Sequence, residues 1–488
     1  MTRADLLLIN PNRLKPPVAP IAVDYLADAL CLAMPSGFEL GFLDLCLSDD
    51  PQADLDAHCE RSPGLVGITV RNTDDCYLAS GASFMPQLRR LTEDIRARFA
   101  GPIVLGGSGF SVMPEAILQY CGLEWGVIGD GEWALAALMG AVREGAGDPT
   151  RIPGIVHRTA DGRFQRVPWK PGPLASLPAF RRALVENGRY FRKGGQVGVE
   201  TKRGCTQGCI YCADPLGKGR TCRLRPAAKV ADEVENLLRQ GVEVLHLCDS
   251  EFNVPAKHAH AISKEFVEHG LGGKVNWYTY ASPKPFDARL ADAMRAAGCV
   301  GIDFGVDSGD ARMLRRLGRD FTPEDIAATA KACRDAGIVF MFDLLLGGPG
   351  ETRDSIARTI ELMKNVEPDR VGVSLGVRLY PGTALAREVL RAGPLAANPN
   401  LRGNTEDNDS LLMPVFYLSE GLGEGAEEYV RSLVGSDRRF FLPGGGDAAD
   451  YNYNENRVLV DALARGHRGA YWDILRRLQE GLEPLGED

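Results

Sequence analysis

The sequence predicts an α/β protein: an N-terminal doubly wound, Rossmann-like domain, then a partial (β/α)6 barrel, then a small C-terminal cap. Short apolar strands alternate with amphipathic helices in residues 1–150 and again in residues 196–385, and this alternation is typical of parallel sheets. A chain of 488 residues is also too long for one ordinary domain. Residues 151–195, rich in Pro, Gly and Arg, are interpreted as a linker.

The N-terminal domain is expected to bind a ligand at one edge of its sheet. Its strands are predicted at 5–10, 39–45, 65–71, 102–107 and 125–132. An open parallel sheet binds ligands beyond the carboxyl ends of its strands. The candidate binding residues at those ends are Asn10, Arg71, Asn72, Gly106, Gly107, Ser108, Gly109, Gly129, Gly131 and Glu132.

The second alternating stretch predicts a barrel with its active site at the carboxyl ends of the strands. Strands are predicted at 197–203, 242–248, 274–280, 300–306, 338–346 and 370–379. One helix between them has clear end signals: Thr322 caps it, Pro323 occupies its first position and Gly337 ends it. Residues 386–488, with several aromatic segments and Trp472 on a final helix, are expected to form the cap.

Composition excludes several classes of protein. No apolar run approaches the roughly 20 residues that cross a bilayer, and the N-terminus does not resemble a signal peptide. We therefore expect a cytoplasmic protein without membrane contact. The net charge of −9 gives no general reason to bind nucleic acid.

Three cysteines directly follow the first barrel strand, in "CTQGCIYC". Cys205, Cys209 and Cys212 have the spacing C-x3-C-x2-C. Thiolates select zinc or iron-sulfur clusters. Structural zinc needs four ligands, and Cys222 is a candidate for the fourth. Three thiolates on a cubane cluster would instead leave one iron open for a substrate.

The motif "CTQGCIYC" resembles the signature of the radical S-adenosylmethionine (SAM) superfamily, in which three cysteines hold a [4Fe-4S] cluster whose open iron binds SAM. The resemblance extends to "LCDSEFN", "FGVDSGD", "LLGGPGET" and "YPGT" at later strand ends. "LCDSEFN" departs from the commoner Gly-Gly-Glu form of its motif. The resemblance implies SAM contacts by Tyr211, Asp249, Ser250, Glu251, Asp307, Ser308, Gly347 and Gly348.

The N-terminal domain, with "LLINPN", "VGITVRNTDD", "GGSGF" and "IGDGE", resembles the cobalamin-binding domain of the cobalamin-dependent radical SAM subfamily. A Rossmann-like domain with an ordinary nucleotide, or with no ligand, is the alternative. The first loop, "INPNRLKPP", lacks the histidine of histidine-on corrinoid domains. We therefore expect no histidine on the lower face of cobalt, with Arg71 near that face and His58 on the surface.

The resemblance implies a C-methyltransferase that moves a methyl group from SAM, via methylcobalamin, to a carbon of a small-molecule substrate. Members similar to tryptophan methylase act on an aromatic carbon without an adenosyl radical, and the sequence does not separate the two mechanisms. The candidate catalytic residues are Glu251, Tyr278 and Tyr380. A flavodoxin- or ferredoxin-type electron donor is expected, and the basic stretch 181–203 is either its docking site or a solvated face.

Two other functions are compatible with the same residues. One is a cobalamin-dependent radical SAM rearrangement or cyclisation without methyl transfer. The other, from a different class, is a non-enzymatic corrinoid-binding or zinc-binding module.

Overall fold

The computed structural model describes residues 4–34, 36–144, 147–442, 444, 450–483 and 485. It confirms the predicted α/β class, because two large sheets with mainly parallel strands are flanked by helices. A smaller sheet and a two-stranded ribbon complete the described strands.

The N-terminal sheet has the strand order β2-β1-β3-β4-β5-β6-β7. Its strands are β1 (Leu6–Asn10), β2 (Leu40–Asp44), β3 (Leu65–Thr69), β4 (Ile103–Gly106), β5 (Trp125–Val127), β6 (Ile155–Arg158) and β7 (Phe164–Arg166). The first five are parallel and match the predicted strands, whereas β6 and β7 are antiparallel. The sheet therefore continues past residue 150 into the segment that we expected to be a linker.

Six helices cover this sheet: α1 (Ile21–Ala33), α2 (Pro51–Cys59), α3 (Met85–Arg98), α4 (Ser108–Val112), α5 (Pro114–Cys121) and α6 (Gly131–Glu144). Helix α3 illustrates why they form. Leu88 and Ile95, seven residues apart, are both buried against the sheet, which is the spacing of one helix face.

The barrel sheet has the order β19-β15-β14-β13-β12-β11-β8, and all its pairs are parallel. Its strands are β8 (Gly198–Val199), β11 (Val244–Leu247), β12 (Asn276–Ala281), β13 (Cys299–Asp307), β14 (Val339–Leu346), β15 (Arg370–Leu375) and β19 (Phe440–Phe441). Six of these match predicted strands. The seventh, β19, comes from the region that we expected to form only a cap.

The remaining strands form small sheets near the strand ends: β9 (Lys202–Arg203) with β10 (Arg223–Leu224), and β16 (Val377–Arg378), β17 (Leu401–Gly403) and β18 (Val415–Tyr417). The other helices are α7 (Asn187–Arg192), α8 (Asp214–Lys218), α9 (Ala227–Arg239), α10 (Ala256–Glu268), α11 (Ala288–Ala296), α12 (Ala311–Leu317), α13 (Pro323–Ala336), α14 (Arg353–Val366), α15 (Ala384–Ala392), α16 (Ala426–Val434), α17 (Arg457–Ala464) and α18 (Tyr471–Glu480).

Helix α13 has the ends that its sequence predicts. Thr322 accepts a hydrogen bond from the Asp325 amide, Asp325 completes the capping box, and Gly337 ends the helix in the left-handed conformation.

Helix α18 lies against the amino ends of the barrel strands. Trp472 packs edge-to-face on Tyr278 of β12, and Arg370, at the start of β15, donates to the Arg476 carbonyl group. The C-terminal region therefore closes the end of the barrel opposite the predicted active site.

The basic stretch 181–203 is mostly neutralised by carboxylates. Arg182 is fully buried and pairs with Asp24 of α1 and Glu233 of α9. Further ion pairs join Arg181 to Asp28, Arg189 to Glu186, and Arg203 to Asp130, Glu132 and Glu200. The stretch is not a continuous solvated face, since Arg182 and Arg203 join the two domains, although Arg192 and Lys193 are exposed. Among the described residues, no helix is both long and apolar enough to cross a membrane.

Candidate active site

The cysteine loop begins after β9 and is held from two sides. Gly204 has φ +90°, and a Cβ atom there would overlap the Thr221 carbonyl group. The Cys205 amide donates to the Gly219 carbonyl (3.1 Å), and the Ile210 amide donates to the Leu317 carbonyl (3.0 Å) at the end of α12. The loop is therefore fixed by backbone contacts that leave its thiols available.

The three thiols of this loop suit a cluster better than a zinc ion. Burial raises the pKa of Cys205, of Cys212 and, to about 11, of Cys209, so they need nearby positive charge to become thiolates. In the described part of the chain, their sulfur atoms do not all lie within 4.8 Å of one another. Thiolates around one zinc ion, with bonds of about 2.3 Å, would lie roughly 3.8 Å apart.

Cys222 is engaged elsewhere. Its thiol lies 3.6 Å from the carbonyl oxygens of Gly204 and Val254 and donates to them. The first contact holds the ribbon β9–β10 and the second ties it to the segment after β11, so Cys222 has a structural role in this arrangement.

Four polar side chains meet beside the cysteine loop. Arg319 donates to Asp307 (2.6 Å), to Tyr211 (3.0 Å) and to Glu251 (3.3 Å). Tyr211 in turn donates to Asp307 (2.5 Å). We call these four residues the Arg319 cluster. It brings together Tyr211, Glu251 and Asp307 from three separate motifs.

The Arg319 cluster is buried and strained. Burial raises the pKa of Glu251 to about 7, against the opposing charge of Arg319. Asp307 has φ +63°, a left-handed conformation that is uncommon for residues other than glycine. The cluster therefore offers both acidic and basic groups next to the open side of the cysteine loop.

The other motif residues make internal contacts. Asp249 accepts from the amides of Thr201 (2.8 Å) and Lys202 (3.2 Å), and Ser250 donates to Asp214 (2.5 Å). Ser308 is fully buried, 3.1 Å from the Thr359 hydroxyl group. These contacts tie strand ends together, and direct SAM contacts by these side chains stay predictions.

The two glycines after β14 permit close packing. A Cβ atom on Gly347 would lie 2.7 Å from Leu418, and one on Gly348 would lie 2.9 Å from Leu317 of α12. The glycine motif therefore lets α12, which supports the cysteine loop, approach the end of β14.

In the N-terminal domain, the glycine loop supports the segment that carries Arg71. Cβ atoms on Gly107 and Gly109 would lie 2.6 Å from the Val70 carbonyl oxygen and 2.8 Å from the Arg71 carbonyl oxygen. Ser108 donates to that same Arg71 oxygen (3.0 Å). Arg71 and Asn72 are exposed, and Arg71 forms no salt bridge with any residue that the structure describes.

Other predicted ligand-binding residues of this domain serve the protein's own packing. Asn10 is buried and donates to Asp44 (2.8 Å) and Tyr190 (3.2 Å). Gly129, with φ +71°, has no room for a Cβ atom beneath the Trp169 indole ring, and a Cβ atom on Gly131 would lie 2.9 Å from Leu26. Gly106 has ordinary space around it. A ligand contact at these positions stays a prediction.

Glu132 faces the barrel. Its carboxylate accepts two hydrogen bonds from Arg203, at 2.6 and 3.0 Å. Asp130 beside it accepts from Arg203 and Arg223. The "GDGE" segment therefore binds the two domains to each other.

The two predicted catalytic tyrosines lie apart. Tyr278 is buried and donates to Asp473 of α18 (2.7 Å), on the closed side of the barrel. That location does not support the catalytic role that we expected. Tyr380 donates to Asp74 (3.2 Å) and lies 3.0 Å from the Cys76 sulfur atom, so it joins the Arg71 segment to the barrel.

The strand ends of the two domains face one another. Gly217 of α8, just after Cys212, packs against Ser108 and Ser111 of α4. Tyr280, near the carboxyl end of β12, keeps 43% of its surface accessible. Arg71 lies near enough to Tyr280 to act on it electrostatically. We call the space between the facing strand ends of the two domains the chamber.

Sequence reasoning missed Arg319, Asp303 and Asp343. Arg319 follows a helix end and is brought to the site only by tertiary folding. Asp303 and Asp343 could have been found from the sequence, because each is a carboxylate within an apolar barrel strand. Buried carboxylates are rare without a partner.

Comparisons with known proteins agree with this architecture. The family models of the radical SAM superfamily and the B12 binding domain match residues 199–363 and 12–139. The tryptophan 2-C-methyltransferase of Streptomyces laurentii is 32% identical over all of this chain and 99% of its own. The cytidylyl-2-hydroxyethylphosphonate methyltransferase of Streptomyces wedmorensis is 24% identical over 86% of this chain and 84% of its own.

A solved structure agrees over nearly the whole length. It is the radical SAM methyltransferase TsrM from Kitasatospora setae with tryptophan and a SAM analogue bound. That protein is 34% identical, the match covers 98% of each chain, and the TM-score is 0.90. These findings favour the methyltransferase over the rearrangement and the binding module. The chain therefore belongs to the cobalamin-dependent radical SAM methyltransferases.

Proposed function

We propose that this enzyme transfers a methyl group from SAM to C2 of the indole ring of tryptophan. The full-length relatives that act on or bind tryptophan support this substrate. The observation that carries the proposal is the contact of α4 with α8, which brings the glycine loop of one domain beside the cysteine loop of the other, with the ring of Tyr280 accessible at the end of β12.

The residues present fit the three cofactors. Cys205, Cys209 and Cys212 would hold a [4Fe-4S] cluster, because they are one buried and two half-buried thiols on a fixed loop. The Arg319 cluster would bind SAM beside it, since it offers carboxylates for an amino group and a guanidinium for a carboxylate.

The glycine loop and Arg71 would face cobalamin. The close backbone approach at Gly107 and Gly109 fixes the Arg71 segment, and a guanidinium has no lone pair to donate to cobalt. His58 lies on α2, where its Nδ1 atom is 2.7 Å from the Asp54 carbonyl oxygen. A lower face without histidine is therefore consistent with the described residues.

When bound, the cluster supplies an electron, SAM the methyl group and cobalamin the cobalt centre that relays it to carbon. The chain's own residues position these groups. Arg319 orients Glu251 and Asp307, and the contact between α4 and α8 holds the two cofactor loops together.

We further propose that a flavodoxin- or ferredoxin-type protein of the cytoplasm reduces the cluster. All twelve cysteines are free, which suits a reducing compartment. Such a donor would dock elsewhere than on Arg181, Arg182 and Arg203, since carboxylates already neutralise their charges.

The test is anaerobic incubation of the reconstituted enzyme with SAM, reductant and tryptophan, followed by mass spectrometry and carbon-13 NMR. We expect a product heavier by one methylene unit, with the new methyl group on C2. A methyl group on another carbon, or methylation of other molecules in place of tryptophan, would refute this substrate and leave the family assignment intact.

A further inference from the structure

A layer of polar side chains crosses the interior of the barrel below the Arg319 cluster. Asp303 of β13 and Asp343 of β14 alternate with Ile302, Phe304, Phe342 and Leu344, which pack in the core on the helix side of the sheet. Successive side chains of a strand point to opposite faces. The two carboxylates therefore face the barrel interior, beside Tyr280 and His246 of the adjoining strands.

Several buried polar atoms of this layer have no hydrogen-bond partner among the described residues. They are Oδ1 of Asp303, Oδ1 of Asp343, Nε2 of His246 and the hydroxyl of Tyr453. His246 is 6% accessible, and its ring lies 4.9 Å from that of Tyr280. Unpaired buried polar groups are costly and uncommon, so their concentration in one layer indicates the place of a ligand.

The two carboxyl groups lack a positive partner. Neither forms a salt bridge with a described lysine or arginine. Burial and the neighbouring Asp343 raise the pKa of Asp303 well above its usual range. Burial likewise raises the pKa of Asp343 to about 6. The two carboxyl groups also hydrogen-bond to each other, and a cation beside such a pair favours the ionised form of both groups.

Tyrosine rings line the rest of this layer. A Cβ atom on Gly372 would lie 2.5 Å from both Oδ1 of Asp343 and the ring of Tyr451, so the missing side chain makes room for these groups. Tyr77 and Tyr453 pack edge-to-face on Tyr451, with ring centroids 5.5 and 5.9 Å apart. Aromatic faces attract cations.

We propose that Asp303 and Asp343 bind the protonated amino group of the substrate, among the rings of Tyr280, Tyr451 and Tyr453. The assignment rests on the proposed function. An ammonium group has three donors and one positive charge, which matches the unpaired acceptors. The substrate's carboxylate would instead be repelled by the two aspartates. Glu251 and Asp307 of the Arg319 cluster are near enough to act electrostatically on this pair, so an amino group held there would lie close to the proposed SAM site.

The inference is tested by equilibrium binding to the anaerobic holoenzyme. The probes are tryptamine, which has the amine of tryptophan but no carboxylate, and indole-3-propionate, which has the carboxylate but no amine. We expect tryptamine to bind at least about tenfold more tightly than indole-3-propionate, because this is the affinity that hydrogen bonds to a charged group contribute. The double variant Asp303→Asn/Asp343→Asn should lose that preference by weakening tryptamine alone.

Asp369→Asn is the matched control. Asp369 is a carboxyl group with a raised pKa in the same barrel, it accepts from the Phe340 amide (2.9 Å), and it lies outside this layer. It should keep the amine preference. Thermal melts and cluster absorbance check that each variant folds, and the single Asp343→Asn variant replaces the double one if the latter does not.

The outcomes separate this inference from the proposed function. Equal binding of the two probes to the wild type, binding of neither, or equal weakening of both in the variants would overturn the amine site. If the enzyme prefers amines but leaves C2 of tryptophan unmethylated, the proposed function fails and the amine site stands. If it methylates tryptophan and indole-3-propionate equally, the amine site fails and the proposed function stands.

Discussion

Cysteine residues at the cluster loop differ in what surrounds each sulfur. The thiol of Cys222 is committed to the carbonyl groups of Gly204 and Val254, whereas Cys209 and Cys212 lie half-buried on the open side of the loop. We predict that alanine at Cys205, Cys209 or Cys212 abolishes cluster binding, and that Cys222→Ala leaves it intact. Iron and sulfide analysis of anaerobically reconstituted proteins measures both. Loss of iron from Cys222→Ala would mean that a fourth protein thiol holds the metal.

Arg319 organises the SAM side of the site, because its planar guanidinium contacts three groups at once. A lysine keeps the charge but has no fork of donors. We predict that Arg319→Lys weakens SAM binding about tenfold, a loss of roughly 1.4 kcal/mol. Equilibrium dialysis with cluster-loaded protein measures the dissociation constant. Arg316→Lys, on the exposed face of α12, is the control, and equal weakening by both changes would contradict the prediction.

Among single residues, the sequence identified those whose motifs follow strands directly. Tyr211, Glu251 and Asp307 were named from such motifs and meet in space. Ser308, Asp249 and Tyr278 belong to similar contexts, yet their side chains point to Thr359, Thr201 and Asp473. A strand-end position fixes where a backbone lies, but side-chain direction depends on neighbours that are distant in sequence.

Helix α12 positions the cysteine loop through the glycine that caps its carboxyl end. Gly318 has φ +81°, and a Cβ atom there would overlap the Gly208 carbonyl group. We predict that Gly318→Ala costs roughly 1–2 kcal/mol from the left-handed backbone and also lowers iron content by displacing the loop. Gly337, which ends α13 with φ +66° in open space, is the control, since Gly337→Ala has the backbone cost alone. Thermal melts and iron analysis measure the two effects, and equal iron contents in the two variants would rule out this role for α12.

Elements with regular patterns were predictable, and short ones were not. The capped helix α13 and the five parallel strands of the first sheet follow directly from periodicity and end signals. Strand β19 has only two residues, Phe440 and Phe441, and joins the barrel because β15 offers an unpaired edge. The hairpin β6–β7 extends the first sheet for the same reason.

The whole molecule depends on contacts that hold two cofactor domains in one arrangement. One hydrophobic core includes Leu6 and Leu8 of the first sheet together with strands of the barrel. Arg182 ties α1 to α9, and Arg203 ties β9 to Asp130 and Glu132. Methyl transfer between cofactors requires reacting groups to meet with sub-ångström accuracy, so these contacts serve the chemistry as well as stability.

Removing Arg203 should destabilise this arrangement strongly. Arg203→Met would leave the carboxylate of Glu132, which is 5% accessible, without its bidentate partner. Breaking one side of a buried ion pair costs about 3–5 kcal/mol. Glu132→Gln should cost less, because Arg203 keeps Asp130 and Glu200. Arg89→Met on α3 breaks a pair that is more than half exposed and should cost under about 1 kcal/mol. Denaturant unfolding of the three variants measures their losses in free energy of unfolding, which should be largest for Arg203→Met and smallest for Arg89→Met. If Arg203→Met and Arg89→Met lose the same free energy of unfolding, the domains are joined by their shared apolar core and the Arg182 ion pairs, and the ion pairs at "GDGE" do not fix the geometry of the chamber.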